Sequence, residues 1–208
     1  MSLRVLLRTL CNYVVGRRLT AVFYVYCQRQ QGKGREDASI RCFDAAHPPP
    51  PEIVEHLRHL GHAAGYFILR RRMKHCGARL LCLVEEGKLH AYGWTQGWRP
   101  FKRRLDWLTN DGVVLGPYWT APSERGRGLY GRMLAHSIAV CPDRERRPLV
   151  IFARPDNTPS LRGTEKAGFL RLGVHEVNSW FFRVANRHRV IQEDRSLAEA
   201  LRECREGT

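Results

Sequence analysis

Chemistry is most legible at Arg125-Gly126-Arg127-Gly128. Glycines let a backbone approach a ligand closely, and the two guanidinium groups put positive charge at the same spot. Leu129, Met133, Leu134 and Ile138 follow at helical spacing, so the turn opens a helix whose first N–H groups are unpaired and whose dipole is positive there. Val113, Val114 and Leu115 lead in as a strand, which Gly116-Pro117 interrupts as a bulge or a splayed strand end would. Strand, glycine-basic turn and helix in that order suit a phosphate. The spacing is neither G-x-G-x-x-G nor G-x-x-x-x-G-K-[ST].

A second stretch repeats the logic. Leu149-Val150-Ile151-Phe152-Ala153 is an apolar run of buried-strand type that ends at Pro155-Asp156-Asn157. Asn157 or Thr158 then caps a short helix, with Pro159 in its first turn and Gly168 at its end. The first stretch reads R-x-x-G-x-G/A over Arg125 to Tyr130, preceded by Pro122, with Tyr130 in the last position and Gly131 after it. The second reads N-x-x-S-x-x-x-x-E-K-x-G-F from Asn157 to Phe169. Together they resemble the two signatures of the GNAT superfamily of acyl-CoA N-acyltransferases, over roughly residues 38–190.

The resemblance implies an α+β fold with a mixed, splayed central sheet flanked by helices on both faces. It implies N-acetyl transfer from acetyl-CoA, used as a co-substrate without a metal, to a primary amine of a small acceptor. The coenzyme A pyrophosphate would contact Arg125, Gly126, Arg127, Gly128, Leu129 and Tyr130, whose ring would point away from the phosphates. Backbone N–H groups near Trp119 and Thr120 would meet the oxyanion, and Asn157 would lie beside the pantetheine and order the amine or a water. Many relatives carry a tyrosine immediately before the Glu-Lys pair as the leaving-group acid, where this chain has Thr164. A subset uses the serine of N-x-x-S, which makes Ser160 the candidate acid. No base is implied, and Tyr118, His90 and the pair His175 and Glu176 are the candidates. A non-catalytic acyl-CoA-binding relative with a regulatory role is the rival of another class.

The elements that must position these groups fit one domain of 208 residues with added ends. Residues 1–37 read as a basic extension of helix, strand and linker, 38–190 as the acyltransferase domain, and 191–208 as a charged tail forming a surface helix or a disordered end. Leu3, Leu6, Leu7, Leu10 and Val14 recur at helical spacing, and Leu19 to Tyr26 is β-branched and aromatic. Packing on the core is the preferred role of this extension. Peripheral contact with an anionic membrane through residues 1–18 is the runner-up and a transit peptide the third reading. Residues 38–45 would be the first strand of the domain, and two helices would follow the proline run. Leu80–Glu85 and Lys88–Trp94 would form a hairpin around Glu86-Gly87, and residues 170–177 and 179–184 would be two closing strands.

Thirty-five Lys and Arg against 20 Asp and Glu give a net charge of +15. That excess suggests an acidic partner (coenzyme A, an acyl carrier protein, nucleic acid or an anionic membrane), the alternative being a solvated basic surface with no specific role. Nucleic acid falls behind because no recognised RNA-binding motif accompanies the charge. The seven cysteines form no CxxC pair and read as reduced thiols of a cytoplasmic protein, peripheral to the inner membrane if residues 1–18 bind lipid. Between residues 94 and 107, Trp94, Trp98, Phe101 and Trp107 alternate with Arg99, Lys102, Arg103 and Arg104. Such interleaving suits a sugar, and with His175 it directs the acceptor expectation to an amino sugar; a protein or RNA acceptor is the alternative. The same residues would also serve as a plug at the edge of the core. His56, His59 and His62 share a helix without a carboxylate partner, and no metal site is expected there.

Overall fold

The computed structural model describes residues 17–26, 35–60, 63–141, 147–180 and 185–206. The helix expected before residue 17 lies outside them. A mixed nine-stranded sheet forms the centre, with strand order β2-β3-β4-β5-β7-β1-β8-β9 and β6 paired separately to β4. The strands are β1 (Arg17–Tyr26), β2 (Ile40–Phe43), β3 (Arg79–Glu85), β4 (Lys88–Gly97), β5 (Val113–Leu115), β6 (Trp119–Thr120), β7 (Leu149–Ala153), β8 (Leu170–Trp180) and β9 (Ala185–Glu193). The helices are α1 (Pro51–His59), α2 (Ala63–Cys76), α3 (Leu129–Ala139), α4 (Thr158–Lys166) and α5 (Leu197–Glu206). None of them is long and apolar enough to cross a membrane, among the described residues.

Strand alternation distributes the core. In β1, Ala21, Phe23 and Val25 enter one apolar cluster while Val22, Tyr24 and Tyr26 enter another, as the two-residue period of a strand buried on both faces requires. β1 runs antiparallel between β7 and β8, so this N-terminal strand sits inside the sheet. In β3, Leu80 and Cys82 pack under α1 and α2 with Ile53, Leu57 and Met73, whereas Leu81 and Leu83 meet Leu129 and Met133 of α3. Helices thus cover both faces. The β3–β4 hairpin turns at Glu86 (φ 50°) and Gly87 (φ 74°). Positive φ at both central residues is what a two-residue turn needs to match strand twist.

Two expectations change. Residues 170–180 form the single strand β8, and the second closing strand is β9, further along the chain. Pairing explains the continuity: β8 pairs with β1 from Leu170 to Ser179, past the expected break and with one register shift between Phe23 and Tyr24, and its other edge pairs with β9. The charged tail contributes α5, which opens with a capping box. Ser196 Oγ accepts the Glu199 N–H at 3.2 Å, and the Glu199 carboxylate accepts the Ser196 N–H at 2.7 Å. Its Ala200 is buried against the sheet.

The aromatic-basic stretch is the other correction. Consecutive turns carry it over the sheet, with the Phe101 and Lys102 N–H groups donating to the Trp98 carbonyl and that of Leu105 to Phe101. Trp98, Leu105 and Leu108 are buried, and Phe101 and Trp107 pack in the same cluster as Phe23 and Val150. Arg99, Lys102 and Arg103 remain outside. Trp94 is buried in a different cluster, beneath α1 and α2. The aromatic faces that would grip a sugar are consumed by the protein's own core.

Candidate functional site: a parted pair of strands above a glycine turn

β5 and β7 run parallel and pair only at Val113 with Leu149 and at Val114 with Val150. Beyond that point Leu115 pairs with Thr95 of β4, β6 stays on β4, and Ile151 to Ala153 stay on β1. The sheet therefore opens between residues 115–120 and 151–153. Gly116, at φ 108°, redirects the chain there; its N–H donates to the Trp94 carbonyl at 2.7 Å, and its carbonyl accepts from Gln96 Nε2 at 2.5 Å. Tyr118 then crosses β4 directly over Gly93, where a Cβ would lie 2.2 Å from the ring. Only glycine fits at that crossing.

One backbone group at the opening can be assigned by alternation. The Ala121 N–H donates to the His90 carbonyl at 2.8 Å, and Thr120 is opposite Ala91 and Trp119 opposite Tyr92. Successive residues of a strand direct their N–H groups to opposite sides. The Trp119 N–H thus points toward β4 and the Thr120 N–H toward the opening. The Trp119 ring stacks on Tyr92, 5.7 Å between centroids.

A short 3-10 turn (Pro122–Glu124) leads into Arg125–Gly128. Gly126 (φ 83°) and Gly128 (φ 77°) take left-handed backbone conformations, and nothing lies within 4 Å of a Cβ built on either. Gly128 is the N-cap of α3 and supplies no side-chain cap to its first N–H groups. Arg127 pairs with Glu124, and Glu124 Oε1 lies 3.6 Å from His90 Nδ1. Within the turn the Arg125 and Arg127 N–H groups donate to the Pro122 and Glu124 carbonyls, both at 3.4 Å, so the donors left for an anion are the Gly126 and Gly128 N–H groups and the first N–H groups of α3.

Across the opening, Asn157 Oδ1 accepts the Ser160 N–H at 3.4 Å as the cap of α4. Tyr130 leaves the turn and reaches α4, where its hydroxyl is 3.1 Å from Ser160 Oγ and 3.0 Å from Thr164 Oγ1. A Cβ on Gly163 would lie 2.5 Å from the Tyr130 ring, so Gly163 makes room for it. Burial pushes the Tyr130 phenol up, outweighing its bonds to Ser160 and Thr164, and keeps it protonated. Glu165 of the Glu-Lys pair accepts the Tyr24 hydroxyl at 2.9 Å, which ties α4 to β1.

The residues expected at a site separate into two groups. Trp119, Thr120, Arg125 to Tyr130, Asn157, Ser160 and His90 gather around the parted strands and the turn. Trp94, Trp98, Arg99 and His175 lie elsewhere. His175 is buried, with Nδ1 3.0 Å from His188 Nε2 and its ring stacked on Trp107 at 4.6 Å. Burial, then the neighbouring His188, lowers it to about 4, and Glu176 pairs with Arg18. Tyr118 donates its hydroxyl to Ser137 Oγ at 2.8 Å, and burial pushes its phenol far above the ordinary range. The same desolvation disfavours the phenolate that a role as base would need. Two participants escaped the sequence reading. Glu124 stands within a motif that fixes only its neighbours, and the Tyr130–Ser160–Thr164 contact joins residues 30 and 34 apart.

No protein-family model matches the chain, and no curated protein matches it. Among solved structures it resembles an acetyltransferase assigned to the GNAT family from Novosphingobium aromaticivorans, with 16% identity, a TM-score of 0.51, and coverage of 77% of this chain and 63% of that one. A GNAT-family acetyltransferase from Colwellia psychrerythraea is 14% identical with a TM-score of 0.48, covering 81% of this chain and 58% of that one. The aminoglycoside N-acetyltransferase AAC(6')-Iy in complex with CoA is 18% identical with a TM-score of 0.44, covering 63% of this chain and 90% of that one. This chain thus spans about three-fifths of the length of the first two. With a helix-flanked mixed sheet that parts beyond Val114 and Val150, it has the fold of the GNAT acyl-CoA N-acyltransferases.

Proposed function

We propose that this chain transfers an acetyl group from acetyl-CoA to a primary amine, releasing an amide and coenzyme A. The observation that carries the reading is the coincidence of the parted strands with the uncovered glycine turn at the start of α3. The pyrophosphate would rest on the backbone of Arg125 to Tyr130, and Arg125 and Arg127 would answer its charge. The pantetheine arm would enter between β6 and β7, beside Asn157.

The chemistry needs an oxyanion contact, a proton acceptor for the amine and a proton donor for the thiolate. Thr120 offers its N–H to the oxyanion. His90, half-buried beside Glu124, accepts the amine proton, directly or through water. Ser160 donates to the leaving thiolate, and the Tyr130 phenol holds its hydroxyl in place. Because Trp94 and Trp98 are core residues, the acceptor is kept at the level of a primary amine, with amino sugars among those to screen.

Calorimetry with acetyl-CoA tests this. Native protein should bind, and Gly128→Glu, which puts bulk and negative charge in the cradle, should weaken binding by about a hundredfold or more. No binding by the native chain, or binding indifferent to the substitution, would overturn the coenzyme A reading and bring forward a carrier-protein donor.

A further inference from the structure

The end of the sheet opposite the parted strands holds a cavity of about 750 Å³, a volume typical of small-molecule sites. Its floor includes Thr95 and Gln96 of β4 and Val113 of β5, and both polar floor residues are buried. Arg79, Arg99, Lys102 and Arg147 line it against two carboxylates, Asp44 and Asp111. Two positive charges are left over.

The carboxylates are already engaged. Arg147 Nη2 donates to Asp111 Oδ1 at 2.6 Å. Burial works to raise the Asp111 carboxyl, but Arg147 and the Gly112 N–H outweigh it and keep it ionised. Asp44 accepts the N–H groups of His47 and Ala46 at 2.8 and 2.9 Å, and the His47 N–H chiefly holds it below the usual range. Arg79 donates to the Val140 carbonyl at 3.1 Å. Arg99 and Lys102 are exposed, and among the described residues neither side chain has a hydrogen-bond or ion-pair partner. Trp98 Nε1 and Arg147 Nε are buried donors without an acceptor among the described residues, and both residues line the cavity.

We propose that this cavity is a second ligand site, which takes a small organic phosphate monoester. The phosphate lies among Arg99, Lys102 and Arg147, and the organic part lies toward Met73 and Ala78. A monoester carries close to two negative charges at neutral pH and so matches the surplus, whereas a single carboxylate would leave one cation unanswered. The cavity is also several times larger than inorganic phosphate needs, which points to a phosphorylated metabolite. This assignment does not depend on coenzyme A binding at the turn.

Calorimetry on the full chain with ribose 5-phosphate as the probe tests it, with ribose and acetate as controls. Ribose 5-phosphate should bind and the two controls should not. The double variant Arg99→Ala/Lys102→Ala should weaken binding about tenfold or more. Its melting temperature should stay at the native value, because both side chains are exposed. Gly128→Glu should leave ribose 5-phosphate binding unchanged, which separates this site from the turn. Three results would each overturn the proposal: no binding up to about 10 mM, binding indifferent to the double variant, or binding lost in Gly128→Glu.

Discussion

Two basic stretches lie on either side of β5 and use their charge in opposite ways. In Arg125–Gly128 the backbone is bare: no atom comes within 4 Å of a Cβ at Gly126 or Gly128, and α3 starts without a side-chain cap. In residues 98–108 the backbone is wound into turns over its own aromatic side chains, and Trp98, Leu105 and Leu108 are closed into the core. The companions of the cations make the difference. Glycine beside arginine cannot bury anything and leaves donors free for a ligand. Tryptophan and phenylalanine beside arginine bury themselves, and the guanidinium groups follow the surface above them.

Substitutions at the two stretches should therefore fail in different ways. The largest expected effect on stability is at Trp98, which is 3% exposed. Trp98→Ala should cost about 3–5 kcal/mol of unfolding free energy, read by urea denaturation. At temperatures where the variant is still folded, its affinity for acetyl-CoA should equal that of the native chain. A variant that keeps its stability but loses an amine substrate would reverse the comparison and restore this stretch to acceptor recognition.

A smaller effect, set by pH, should come from the histidines packed beneath the same stretch. His188 stacks on Trp107 with centroids 3.8 Å apart, and burial lowers its pKa as it does that of His175. In the unfolded chain both titrate near 6.5. As pH falls through that value the unfolded chain takes up protons first, so the folded state loses stability. For His175 the loss continues down to about 4, where the folded form also protonates, and then levels off. His175→Phe should flatten this slope when unfolding is measured at about pH 7 and about pH 4.5. Parallel losses in native and variant protein would mean that His175 is charged in the fold.

How much of this could be read beforehand depended on the range of the interaction. The turn, the helix after it and the Asn157 cap are local, and the residues that fix them lie within a few positions of one another. The hairpin at Glu86-Gly87 is local too. Where tertiary pairing decides, local pattern misleads. β8 runs through residue 178 because β1 holds it in register, and β1 is some 150 residues away in sequence. Charge and aromatic content left residues 94–107 open between acceptor recognition and a plug at the core edge; the sheet beside them lacked a cover, and Trp98, Phe101 and Trp107 supply it. At the candidate site, choosing Thr120 over Trp119 needed the hydrogen bond from Ala121 to His90.

The smallest expected effect tests the link between the turn and the opening. Tyr130 lies in the first turn of α3 yet places its hydroxyl on Ser160 and Thr164 of α4. Tyr130→Phe keeps the ring against Gly163 and removes only the oxygen. Stability should fall by about 1 kcal/mol, the net worth of an ordinary hydrogen bond. Acetyl-CoA affinity should hardly change, because the cradle is backbone. If Ser160 delivers the proton and Tyr130 holds it in position, kcat should fall while the KM for acetyl-CoA stays constant, and Ser160→Ala should fall further. If both variants keep the native kcat, the hydroxyl cluster only joins two helices, and the thiolate takes its proton from water.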